Sequence, residues 1–220
     1  MLESIKGKRI GRLVVHIHRP DDAKYVASCK SVDRLEIWGW KGPDLTVLQG
    51  LAVRYLRLVR GQQVSAKGLN TTRLKKLSLH GCGKLTHLQI PRIPWLWLWA
   101  CNNFDLDSLG SVHGLVGLDI GPRREIRSLE FVAKCTSLKF LSIDTNSWKT
   151  EDFRPLARAR ALKIVGFTRL RPGKVEAISK LNPKLLVGAM SADFCMLAGR
   201  RVTKDDYLKL RRSFNKKYGG

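Results

Sequence analysis

The chain has 220 residues, 44% of them hydrophobic, which is ample for a core, and it lacks the run of about 18 apolar residues that crosses a bilayer. Lys and Arg outnumber Asp and Glu 41 to 18, giving a formal net charge of +23. The last 30 residues hold eight Lys/Arg against three Asp/Glu, so most of the excess lies in the body of the chain. Such a field attracts acidic proteins, nucleic acid or anionic membranes without choosing among them.

Met1 to Arg12 is charged and has no secretory h-region. The cysteines, Cys29, Cys82, Cys101, Cys135 and Cys195, form an odd set with no C-x-x-C pair. Together these predict free thiols in a reducing compartment, the cytoplasm.

From Leu13 onward the phrase L-x-x-L-x-L recurs. Its second leucine position falls at Leu13, Leu35, Leu56, Leu77, Leu96, Leu118, Leu141, Val165 and Leu185, in steps of 19 to 24 residues. Residues 25–37 (YVASCKSVDRLEI) and 131–143 (FVAKCTSLKFLSI) show how much of a period repeats. Alternation predicts a short strand at each marker, with the leucines on one face and the residues between them on the other. The remainder of each period returns over the back, where Phe131, Val132, Leu156 and Ala159 fit helical or 3-10 turns. Cys29 and Cys135 fall at inward back positions, and Cys82 and Cys101 at turns, where free cysteine packs as a small buried residue. After the repeats, Thr203 with Asp205 and Asp206 predicts a helix N-terminus. Tyr207, Leu210 and Phe214 share one face of that helix, and Arg211, Arg212, Lys216 and Lys217 lie towards its end.

The pattern resembles the leucine-rich repeat family. The fuller phrase L-x-x-L-x-L-x-x-[NC] is matched by Leu77, Leu79 and Cys82, by Leu96, Leu98 and Cys101, and by Leu141, Ile143 and Asn146. Trp40, Gly61, Arg123 and Leu170 depart from it in the Asn/Cys slot, so the turn there needs another support. The resemblance implies an α/β solenoid of about nine repeats over residues 1–190. It has a parallel concave sheet, short helical or 3-10 convex segments, and a basic helical C-terminal cap over residues 191–220. It is nearly silent on function.

In this register the concave face carries three columns. Trp95, Trp97 and Trp99 project together from one strand, beside Gly117, Asp119 and Gly121 on the next. That predicts a wall of indoles bordering a notch, and exposed aromatic clusters mark contact sites. Trp38, Tyr55 and Phe140 add aromatic surface, and Arg34, Arg57 and Lys76 add charge. The expected function is therefore non-enzymatic binding of an acidic protein through these ten residues, with an inhibitor- or immunity-like role by analogy. Nucleic acid is the alternative partner, since basic residues interleaved with aromatics hold phosphates and stack bases. Self-association through the Trp row is a further one. G-x-S-x-G, G-x-x-x-x-G-K-[ST], H-E-x-x-H and G-x-G-x-x-G motifs are all missing from the sequence, so neither catalytic residues nor a cofactor are expected. His16 and His80 share a column but sit three strands, about 14 Å, apart, too far for a shared metal.

Overall fold

The computed structural model describes residues 2–19, 21–121, 126–144, 152–168, 170–190, 195–197 and 200–218. Among them lie eleven strands of one sheet: β1 (Arg9–His16), β2 (Ser31–Trp38), β3 (Ala52–Val59), β4 (Lys76–His80), β5 (Trp95–Trp99), β6 (Gly117–Ile120), β7 (Phe140–Asp144), β8 (Ile164–Thr168), β9 (Leu186–Met190), β10 (Cys195–Leu197) and β11 (Arg200–Val202). They are ordered β1 to β11 in chain sequence. The first nine are parallel, and β10 and β11 continue the sheet antiparallel. A parallel sheet whose strands follow chain order, each separated by one return segment, is a leucine-rich-repeat solenoid.

The register is set by the inward pairs. Leu35/Ile37, Leu56/Leu58, Leu77/Leu79, Leu96/Leu98, Leu118/Ile120, Leu141/Ile143, Val165/Phe167 and Val187/Ala189 are all buried in one continuous core. Burying each leucine-sized side chain contributes about 1.5–3 kcal/mol, and a slip of one residue would turn every such pair to solvent. Leu13 pairs with Leu35, which settles the frame of the first strand.

The last repeat differs from the expected frame. Val165 pairs with Val187, so the marker there is Val187 and not Leu185. Leu185 instead closes the turn that leaves α4 (Pro172–Leu181), its amide bonded to the Asn182 carbonyl at 3.0 Å, and it is buried there. The three concave columns therefore end in Leu186, Gly188 and Met190.

The convex side changes character along the chain. The returns carry α1 (Asp22–Ala27), α2 (Glu130–Lys134), α3 (Arg154–Arg158) and α4, with 3-10 turns at Thr46–Leu48 and Leu106–Ser111. Between Leu51 and Trp95 the backs carry neither helix nor 3-10 turn. In and beside this stretch amides bond from turn to turn: Leu45 to Lys67, Ala66 to Leu88, Thr86 to Val64 and Asp105 to Thr86, at 2.7–3.0 Å.

The Asn/Cys slot is filled three ways. Cys101 donates its thiol towards the carbonyls of Leu79 (3.4 Å) and Trp99 (3.5 Å), and Cys82 sits equivalently below Leu58 and His80. Where Gly61 occupies the slot, the buried Gln63 side chain takes its space and donates to the Cys82 sulfur at 3.4 Å; a Cβ on Gly61 would overlap it. Trp40 brings its own indole N–H to the Asp44 carbonyl at 2.9 Å. Asn146 and Arg123 lie outside the described residues. Cys29 and Cys135 are buried in the backs, and burial pushes the Cys135 thiol up to about 11.

The terminal helix α5 (Lys204–Tyr218) is capped as its sequence predicts: the Asp206 amide donates to Thr203 Oγ1 at 3.1 Å, and that hydroxyl donates to the Asp206 carboxylate at 2.6 Å. The helix returns across the concave side of β7 to β9. Tyr207 places its hydroxyl 2.7 Å from where a Gly166 Cβ would stand. Tyr207, Leu210 and Leu197 close on Phe140, Ile164 and Gly188, leaving only about 10 Å³ between them. No helix among the described residues is long and apolar enough to cross a membrane.

Leu118→Ala removes a fully buried marker in the middle of the stack. It is expected to lower the unfolding free energy by about 3 kcal/mol, and Leu13→Ala, at the half-buried end, by clearly less. Urea denaturation of both variants checks the order.

Candidate functional site

The register turns the concave face into a grid. Along one column stand Arg12, Arg34, Tyr55, Lys76, Trp95, Gly117, Phe140, Ile164 and Leu186. Along the next stand Val14, Glu36, Arg57, Ser78, Trp97, Asp119, Ser142, Gly166 and Gly188. Cations in these two columns stop at Lys76. The face thus divides into a charged part on β1 to β4 and a less charged part on β6 to β9, of which α5 covers β7 to β9, with the Trp row between them.

The Trp row does not border a notch. Trp95 lies down over Gly117, where a Cβ would overlap its ring, and packs on Phe140 with centroids 5.7 Å apart. Trp95 is only 2% exposed and Phe140 4%; with Ile164 they form a second, small hydrophobic cluster on the concave side. Trp99 lies over Gly121 in the same way, at 2.5 Å from a Cβ there, but keeps 41% of its surface. Gly117 of β6 and the flanking Gly121 are thus the seats of the indoles. Asp119, between those seats, is buried as well. Of the ten residues named from sequence, Trp95, Phe140 and Asp119 are therefore wall, not contact surface. The reason is that a wide ring beside a residue with no side chain tips into the space instead of standing clear of it.

The other seven border one open groove, or flank it. The groove encloses about 570 Å³ and is lined by Arg12, Arg34, Tyr55, Arg57, Lys76 and Trp97, with Glu36, Ser78 and His80 at its floor and side. Two of its cations lie on rings. The Lys76 ammonium sits 3.3 Å from the Trp97 ring centre, and the Arg34 guanidinium 5.1 Å from that of Tyr55. Arg54 approaches the same tyrosine at 5.5 Å, and bonds Asp33 at 3.0 Å. Each such contact contributes about 0.5–1 kcal/mol at an exposed site. Glu36 stands 3.6 Å from Arg57 and accepts the Trp38 indole N–H at 2.8 Å. Trp38 stacks on His16 at 5.7 Å, and Trp99 on His80 at 5.8 Å, so Trp38 and Trp99 form the rim.

Sequence reasoning passed over Glu36, Ser78 and His80. All three stood in the same columns, so the signal was there; what it lacked was the diagonal lean of side chains between strands. Ser78 and His80 share a 2.8 Å hydrogen bond, Oγ to Nε2. Ser78 is buried, so the pair forms groove floor and does not present a nucleophile. Burial, and then the nearby Arg57 guanidinium, hold the His80 imidazole below its ordinary value, against the pull of Glu36. Among the described residues no three His, Cys, Asp or Glu side chains converge as metal ligands.

No family model matches the chain, and no curated protein matches it. Among solved structures, an internalin from Listeria monocytogenes superposes with a TM-score of 0.44 at 18% identity, over 87% of this chain and 63% of that one. The chain thus spans less than two thirds of the internalin's length.

Two outcomes test the geometry. Gly117→Ala must displace the buried Trp95 ring and is expected to cost about 1–3 kcal/mol in urea unfolding, whereas Gly121→Ala costs less, because the exposed Trp99 ring can swing away. In an NMR titration the His80 ring is expected to titrate below an ordinary histidine, to move up in Arg57→Gln and further down in Glu36→Gln. Because the folded state resists protonation there, this residue's contribution to stability is lost as pH falls below about 6.5.

Proposed function

We propose that the protein is a non-enzymatic binding module that takes an acidic protein partner on its concave face. The observation that carries the reading is the groove over β1 to β5: four cations around two aromatic rings, with one carboxylate among them. Aromatic rings supply contact area at low conformational cost, and the cations speed and orient encounter with an acidic surface. Trp99 and Trp38 at the rim extend the contact. Trp95, Phe140 and Asp119 serve it as a rigid wall. An inhibitor-like role, with the partner's acidic site occluded in the groove, is the finer form of this reading. The four buried free thiols suit a reducing compartment such as the cytoplasm.

The test is affinity capture from a nuclease-treated cell extract, comparing the unaltered chain with Arg34→Glu/Arg57→Glu. Acidic proteins are expected on the first and lost from the second, with loss of retention as salt rises from 50 to 500 mM (about a threefold fall in screening length). Capture that survives the charge reversal, or absence of acidic proteins from the unaltered chain, sinks the reading.

A further inference from the structure

We propose that the edge of the sheet where its strands begin is a second binding surface, which takes the phosphate backbone of a nucleic-acid duplex without regard to base sequence. It is separate from the groove and goes beyond the reading given above. On each of the nine parallel turns the edge is made by the four residues that immediately precede the first concave column: 8–11, 30–33, 51–54, 72–75, 91–94, 113–116, 136–139, 160–163 and 182–185. These stretches hold eleven Lys or Arg and one acid, Asp33. The backbone stacks them in file. Lys30 donates its amide to the Lys8 carbonyl at 2.9 Å, Lys75 to that of Arg54 at 2.8 Å, and Lys163 to that of Lys139 at 2.9 Å. Arg9 and Arg73, from the first and fourth turns, line one open hollow of about 230 Å³ with Ser31 and Asp33.

Two of the eleven cations have partners. Arg54 bonds Asp33 at 3.0 Å and leans on Tyr55, and Lys139 is also engaged within the protein. The other nine form neither an ion pair nor a ring contact among the described residues, and all of them are exposed. Elsewhere on the surface the cations are matched. On and beside the convex helices Lys24 pairs with Asp21 at 2.7 Å, Lys134 with Asp107 at 2.9 Å, Arg154 with Asp152 at 2.9 Å and Arg158 with Glu130 at 2.5 Å. These acids stand on the back, and the edge is left with a charge that an external anion answers.

The shape of the row decides the class of partner. Strands about 4.8 Å apart carry it about 38 Å over nine turns. Every turn supplies at least one Lys or Arg except the sixth, which supplies His113. A duplex presents a phosphate charge about every 1.7 Å of its axis, so it meets cations all along such a line, whereas the carboxylates of an acidic protein surface lie scattered among other groups. A bilayer is a plane that rewards inserted apolar side chains. The exposed large hydrophobics, Val14, Tyr25, Val47, Val64, Trp99 and Leu181, all lie outside these stretches. For the same reason the edge has no ring on which an unpaired base stacks. Its contacts go to phosphate, which positions a duplex and carries no sequence.

The experiment titrates the full chain into a fluorescently labelled, mixed-sequence DNA duplex of about 20 base pairs and reads anisotropy across a salt series. The logarithm of the binding constant is expected to fall against the logarithm of salt with a slope of about −4 or steeper. Arg73→Gln/Lys75→Gln/Arg92→Gln is expected to weaken binding about tenfold or more and to make the slope shallower by about two to three. Lys163→Gln/Lys184→Gln, at the far end of the row, weakens it in the same direction. Arg34→Gln/Arg57→Gln, in the groove, costs less than about threefold, and a duplex of unrelated sequence binds within about threefold of the first. Equal losses from the edge and groove variants overturn the proposal, as does an unchanged slope in the edge variants. Tighter binding of a single strand, or of phosphatidylserine vesicles, than of the duplex overturns it too. Capture of acidic proteins from nuclease-treated extract is expected to persist in the edge variants, so the two surfaces stand or fall separately.

Discussion

Parallel stacking of alternating leucine pairs governs everything else in this molecule. Each strand buries two side chains, as in Leu77/Leu79 or Leu96/Leu98, against the same pair one turn away. A strand so placed has no freedom of register, since its period is two and its other face is solvent or groove. The side chains between and around the leucines are then dealt into columns by covalent geometry alone. Arg34, Tyr55 and Lys76 line up because their neighbours must be buried, not because they attract one another. The functional face is a by-product of the core, and its precision is that of the core.

What the columns do not dictate is how neighbouring side chains share space, and here size decides. Trp95 and Trp99 meet glycine on the next turn and fall onto it; Trp97 meets Asp119 and is left upright enough for Lys76 to lie against it at 3.3 Å. The same three-residue alternation, Trp-x-Trp-x-Trp beside Gly-x-Asp-x-Gly, thus yields one buried indole, one half-exposed indole and one that supports a charge. A cation over a ring gives up some hydration but keeps its charge. The wall of Trp95 and Phe140 fills the concave side next to this pair.

The repeat, its period and the identity of the inward residues were legible from Leu13 to Val165 because hydrophobic alternation is a local signal. It failed at Leu185, where Leu185, Leu186 and Val187 offer two frames and only the pairing with Val165 and Phe167 chooses. The Cys slots at Cys82 and Cys101 were legible too, whereas the replacement of the slot at Gly61 by Gln63 was not, since that side chain reaches back two residues to fill a void no pattern records. Of the residues that line the groove, Arg34, Arg57, Lys76, Tyr55 and Trp97 could be placed on the concave face from their columns. The burial of Trp95, Phe140 and Asp119 was not, because a column tells which way a Cβ points and nothing about where the atoms beyond it come to rest. Nor did the sequence reveal that α5 crosses the concave side, for its apolar residues Tyr207 and Leu210 would suit any apolar surface.

That crossing gives the chain's large net charge a location. A charge of +23 spread evenly would make a sticky, unselective surface. The concave side of β7 to β9 is instead covered by the protein's own helix, which seats Tyr207 over Gly166 where a larger residue would hold it off. The aromatic row then closes the far side of the charged half. The open part of the face is then one groove over β1 to β5, lined by four cations and one carboxylate. Glu36 matters most in that arrangement: standing 3.6 Å from Arg57 and fixed by the Trp38 indole, it sets the direction in which that guanidinium points.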